Sequence, residues 1–171
     1  MYVNHPLLTI TMTDPISVTN SKAITATGGF LHIQQVGAVS IAQSSFQDIK
    51  SSTAGSFLYS IASGLTLSVV SSTIDCLNLG ATPAGTFDLS STLDLATPTP
   101  DQGGAFYISN ALATTTINTL TLRNCHTGST GGAFSLLDTT ISDTNSVYSY
   151  NGATRGGAVY CERCGLTLSN V

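Results

Sequence analysis

The chain has 171 residues and a formal net charge of −4, with 8% of residues charged and 42% hydrophobic. Serine and threonine fill the gap; both are poor in helix interiors and threonine favours strands, so the composition points to β structure. The five basic residues are scattered and form no footprint for a nucleic-acid backbone or an anionic membrane surface, and no apolar stretch approaches a bilayer span.

The N-terminal MYVNHPLLTITMTDP has no basic region and alternates apolar residues with threonine, which is not a secretory signal. The numbering is therefore read as starting inside a larger precursor. Within residues 1–27, LLTITM and PISVT read as the later strands of a preceding turn. A glycine motif then recurs: GGFLHIQ from Gly28, AGSFLYS from Ala54, AGTFDLS from Ala84, GGAFYIS from Gly103, GGAFSLL from Gly131 and GGAVYCE from Gly156. Gly29, Gly55, Gly85, Gly104, Gly132 and Gly157 are taken as equivalent. Successive copies are then about 25 residues apart, the range in which repeats stack as solenoids, with the longest step before Gly85 and the shortest after it.

Two positions after each reference glycine stand Leu31, Phe57, Phe87, Phe106, Phe134 and Val159. Four positions after stand Ile33, Tyr59, Leu89, Ile108, Leu136 and Cys161. The column between them is mixed: His32, Leu58, Asp88, Tyr107, Ser135 and Tyr160. Period two in six copies marks a strand with one buried face. Further strand-like stretches follow, such as VSI at 39–41, LTL at 65–67, LTL at 120–122 and LTL at 166–168, then SSF at 44–46 and SVYSY at 146–150. In the short step from Gly85 to Gly104 the third strand is read as lost, since the prolines of TPTPDQ cannot serve a central ladder.

A unit of about 25 residues cannot bury its own apolar face, but stacked units can. The expected fold is an all-β, right-handed, single-stranded parallel β-helix spanning residues 1–171. It has six to seven turns, with rungs starting near 28, 54, 84, 103, 131 and 156, as a segment of a longer array. The handedness follows the general crossover rule.

GGAF, GGAFY and GGAVY resemble the GGA-type repeats of surface β-helix proteins, such as the chlamydial polymorphic outer-membrane proteins and ciliate GGA-repeat proteins. The F-x-x-N motif that accompanies them in the chlamydial proteins is absent; Phe46-Gln-Asp48 comes nearest. The resemblance implies a parallel β-helix at a cell surface or outside the cell.

Cys161 falls in an inward column and Cys164 at the following bend. Free buried thiols, a reach of Cys164 to a neighbouring rung and a Cys161–Cys164 disulfide are all compatible with that spacing. A thioredoxin-like centre is not, because it caps a helix in an α/β setting. Cys76, Cys125 and His126 share no repeat offset that would complete a zinc site. Asp138 and Asp143, or Asp75 and Asp101, come nearest to paired carboxylates, but neither pair shares a column; Asp138, Asp143 and Asn145 are the best calcium candidates. No catalytic residue, cofactor or metal site is assigned.

The face carrying Leu58, Tyr107 and Tyr160 is the candidate binding surface, for another chain or a glycan. The expected function is a non-catalytic structural component of an extracellular or cell-surface filament, self-associating or bound to other structural proteins. The alternatives are an adhesin or glycan-binding module and a polysaccharide lyase or hydrolase. No N-x-Ser/Thr sequon occurs, while the many Ser and Thr could carry O-glycans.

Overall fold

In the computed structural model, residues 1–4, 9–23, 27–35, 38–51, 54–62, 64–76, 103–109 and 114–171 are described. The first strands are β1 (Tyr2–Asn4), β2 (Thr9–Met12), β3 (Ser17–Thr19) and the short β4 (Lys22–Ala23). The next turn holds β5 (Leu31–Gln35), β6 (Ala38–Ala42), β7 (Ser45–Gln47) and β8 (Lys50–Ser51). Then come β9 (Leu58–Ser60), β10 (Thr66–Val70) and β11 (Thr73–Asp75), followed by β12 (Phe106–Ser109), β13 (Thr114–Asn118) and β14 (Thr121–Arg123). Last are β15 (Phe134–Leu137), β16 (Thr140–Thr144), β17 (Val147–Ser149), β18 (Val159–Glu162) and β19 (Gly165–Ser169).

All pairings are parallel and join each strand to its equivalent one turn away. The first sheet runs β1-β5-β9-β12-β15-β18, the second β2-β6-β10-β13-β16-β19 and the third β3-β7-β11-β14-β17, with β4-β8 as a small fourth. The molecule is an all-β parallel solenoid. About four turns carry the full cycle of glycine corner and three strands, with partial turns on either side. Residues 1–27 supply strands to all three sheets, so β1 joins the two strands read from the sequence there.

Corners are made by single residues in the left-handed conformation. Gln43, Ser71, Thr119, Asn145 and Asn170 each follow a strand of the second sheet with φ between 48 and 58°. Most are small or amide side chains, which tolerate that region best. The serine that often comes next satisfies the corner's backbone. Ser72 Oγ donates to the Val70 carbonyl at 2.9 Å and accepts from the Ser44 amide at 3.3 Å; Ser146 Oγ accepts from the Leu120 amide at 3.0 Å.

The glycine corner corrects the sequence alignment. Gly28, Gly55, Gly103, Gly131 and Gly156 all have φ between 55 and 68°, and the Gly55 amide donates to the Gly103 carbonyl. Gly55 is thus the first glycine of its motif, and Ser56 stands where the other turns have their second. The second copy shifts by one: Leu31, Leu58, Phe106, Phe134 and Val159 form one inward column, and Ile33, Ser60, Ile108, Leu136 and Cys161 the other.

The slip has a physical origin. Phe57 sits one residue before its strand, as Phe30 does, whereas Phe106 and Phe134 lie on theirs. The rings nonetheless meet in one internal stack, Phe30–Phe57 at 5.4 Å, Phe57–Phe106 at 5.1 Å and Phe106–Phe134 at 4.6 Å. Aligning phenylalanines therefore aligns rings but not backbones.

The rung assigned near residue 84, with its expected lost third strand, lies outside the described residues. In the first sheet β9 pairs directly with β12.

Thr115 is one of the inward positions that break the apolar pattern. In the column Ile10, Val39, Leu67, Thr115 and Ile141, Thr115 is fully buried and its hydroxyl finds no hydrogen-bond partner. A buried, unmade hydroxyl bond costs about 1–3 kcal/mol. Thr115→Val keeps the shape and removes the cost, so it is expected to stabilise by about 1 kcal/mol and to raise Tm by roughly 2–4 °C for a chain of this length. A thermal melt showing no gain would mean that the hydroxyl is already satisfied.

Candidate functional site

The first sheet's outer face carries an aromatic column in register: Tyr2, His32, Tyr59, Tyr107, then Ser135 and Tyr160. Tyr2 meets His32 edge-on at 5.1 Å, His32 meets Tyr59 at 4.9 Å, and Tyr59 stacks on Tyr107 at 5.1 Å with the rings 10° apart. Burial pushes the Tyr59 and Tyr107 phenols up. Burial also pulls the His32 imidazole down, opposed by a hydrogen bond to the Thr27 backbone; the Thr27 hydroxyl lies 2.8 Å from His32 Nδ1. Tyr2 donates to Gln34 Oε1 at 2.8 Å and Tyr160 to Glu162 Oε2 at 3.2 Å.

This column corrects the expected face. Tyr107 and Tyr160 belong to it, but Leu58 is fully buried in the core and Tyr59 takes its place outside. The cause is the one-residue shift at Gly55, which in a strand turns every side chain to the other face. Because Tyr59 and Tyr107 spend one ring face on each other, the column presents mainly ring edges and hydroxyls. Ser135, between Tyr107 and Tyr160, is itself buried and lies 3.2 Å from the Thr130 hydroxyl.

Four cysteines form two pairs. Cys161 and Cys164 are joined within one turn, with Cα atoms 5.7 Å apart. Cys76 and Cys125 are joined between adjacent turns, with Cα atoms 5.0 Å apart. Offsets taken through Gly85 hide the second pair in the sequence. Counted from Gly55 and from Gly103, the two cysteines fall within one position of each other, and that near-match was the available signal.

Beside this bond Asp75 Oδ2 accepts from Arg123 Nε at 2.9 Å, and Asp75 Oδ1 from Asn124 Nδ2 at 2.9 Å. Asp75 is wholly buried, so a carboxylate that alternation aims outward is neutralised by a cation from the next turn. His126 follows, and burial pushes its imidazole down to about 4. An unfolded histidine titrates near ~6.5, so the unfolded chain takes up the proton first. Stability is full above about pH 6.5 and falls as the pH drops towards 4, by up to about 3 kcal/mol at ~1.4 kcal/mol per unit. Melting His126→Gln beside the parent at pH 7 and pH 4 is expected to show the smaller loss for the variant; equal losses would place the sensitivity elsewhere.

Asp138, Asp143 and Glu162 are also engaged. Asp138 receives a two-pronged bond from Arg163, at 2.7 and 2.9 Å, which holds its carboxyl below the usual range. Glu162 takes a third bond from the same guanidinium at 2.7 Å. Asp143 points into the core, accepting from Ser146 Oγ at 2.6 Å and from the Tyr148 hydroxyl. The calcium candidates therefore do not converge: Asp138 lies at an exposed corner, Asp143 faces inward, and Asn145 accepts from Asn170 at 3.1 Å. No group of three metal-ligating side chains occurs among the described residues, and Asp101 lies outside them. No helix among the described residues is long and apolar enough to cross a membrane.

The second sheet's outer face has a different character. Thr11, Ser40, Ser68, Thr116, Ser142 and Thr167 stand opposite one another, one per turn, with no slip in any pairing. Comparisons with family models, curated proteins and solved structures gave no match to this chain. The solenoid thus rests on its own geometry, and the likeness to GGA-repeat surface proteins is one of motif.

Proposed function

We propose that the chain is a stiff, non-catalytic module of an extracellular or cell-surface assembly, serving as a segment of a filament or an adhesive stalk. The observation that carries this is the stacking itself. Each turn hydrogen-bonds to the next through three parallel sheets, and a buried disulfide ties adjacent turns. Such a column resists bending and extends by adding turns. Right-handed winding, six to seven turns and continuation into a longer array belong to this reading, as does relation to the GGA-repeat surface proteins. The disulfides support an oxidising compartment. Among the described residues Asp75 and Asp143 are buried and Asp138 and Glu162 share one guanidinium, which supports a role without a pair of carboxyl groups facing a substrate.

The aromatic column favours a second reading, an adhesin that holds a glycan or a partner protein along Tyr59, Tyr107 and Tyr160. Cryo-EM of the natural material, isolated without detergent or refolding, tests both. Density continuing along the solenoid axis, or lateral contact between chains, is expected for the filament. A solitary, capped solenoid with sugar density along the tyrosines would favour the adhesin, and oligosaccharide release from a polysaccharide substrate would overturn the non-catalytic role.

A further inference from the structure

The outer face of the second sheet is a grid. Neighbouring strands lie about 4.8 Å apart, and positions two residues apart on one strand are separated by roughly 6.7 Å. Its central column bears a hydroxyl on each of the sheet's six described strands, and Thr9, Thr66 and Thr140 add hydroxyls two residues earlier on three of them. Thr11, Thr66, Thr116, Thr140 and Thr167 are exposed. Threonine's branched side chain is stiff in a strand, so hydroxyl and methyl are held in fixed positions.

A second, separate observation concerns what is missing from this face. Among the described residues none of its outward side chains is charged or aromatic. Asp75 and Arg123 lie on the third sheet, Asp143 points inward, Asp138 and Arg163 stand at a corner beside the face, and the tyrosines line the first sheet.

These features select among occupants. Ions are poorly served by a face without charge. A flexible or crystalline sugar polymer is usually gripped through aromatic platforms, and here those are on another face. A second copy would bury too little: six strands by five residues measure about 24 by 16 Å, or about 400 Å² per copy, and twice that falls below the ~1,200 Å² of a stable interface. What fits a small, neutral array of hydroxyls and methyls in unbroken register is a partner that is itself a hydrogen-bonding lattice.

We propose that the outer face of the second sheet adsorbs to ice. The hydroxyls anchor water at fixed spacings, and the methyls between them hold the next waters in cages they cannot bond to. Adsorption is independent of the filament reading, because it needs only the register of one sheet.

The test uses the whole chain in two assays, partition into slowly growing ice and inhibition of ice recrystallisation. Thr116→Tyr puts a bulky ring in the middle of the grid, and Thr140→Lys is a milder disruption should the first variant fold poorly. Thr121→Tyr, on the third sheet, is the control, and circular dichroism confirms folding of each. Expected is enrichment of the parent and the control in the ice fraction, with at least a tenfold loss for the grid variants. The proposal is overturned if the parent partitions no better than an inert protein. It is equally overturned if a folded grid variant keeps its activity, or if the parent binds crystalline cellulose or chitin through this face and shows no ice activity.

Discussion

Cys76→Ser is expected to lower the unfolding free energy by about 4 kcal/mol. The bond spans 49 residues of sequence, and the entropy of closing a loop of that length in the unfolded chain gives this magnitude. Cys76 and Cys125 are almost completely buried and join consecutive turns of the third sheet's corner, beside the Asp75–Arg123 pair. Cys161→Ser offers the internal comparison. Its bond closes a separation of three residues and is worth about half as much on the same argument. Urea unfolding of the two variants beside the parent should show a clearly larger midpoint shift for Cys76→Ser. Equal shifts would show that loop entropy is not what these bonds contribute.

Gly132→Ala is expected to cost about 3 kcal/mol, while the same change one turn later, Gly157→Ala, should stay within about 0.5 kcal/mol. A Cβ on Gly132 would overlap the Gly157 carbonyl oxygen and the backbone of Gly152, and neither is free to move. The Gly132 amide donates to the Gly156 carbonyl at 3.2 Å, and the Gly152 amide to the Cys125 carbonyl at 3.0 Å, so relief requires turns to part. A Cβ on Gly157 would find its nearest atom 3.7 Å away, an ordinary contact. Thermal melts of the two variants share the chemical change and the motif position, so their difference isolates the close approach of neighbouring turns. Similar Tm values would remove packing as the reason for the second glycine.

Some of this architecture is written locally. Alternation in GGAFYIS and GGAFSLL marks strands with one inward face because successive side chains on a strand point to opposite sides, whatever lies beyond. Low charge, abundant Thr and a glycine motif that returns once per short repeat identify a stack of short strands. The glycines mark where the backbone must turn with positive φ. Those features led from the residues to a parallel solenoid and to the outward positions of Tyr107 and Tyr160.

Other features depend on which turn lies against which, and that is a matter of hydrogen bonds between residues a whole turn apart. The Gly55 copy looks aligned by its phenylalanine, yet its amide bonds to Gly103 place Leu58 inside and Tyr59 outside. The same pairing sets β9 directly against β12 and brings Cys76 to Cys125. Asp143 reads as a surface turn residue, but Ser146 and Tyr148 supply the hydroxyls that let a carboxylate enter the core. Sequence determined the strand, its inward face and the solenoid class, since these follow from neighbours one and two residues away. Only the tertiary structure decided register, cross-turn bonding and the content of each outer face, because a one-residue slip leaves local periodicity almost intact while reversing every side chain.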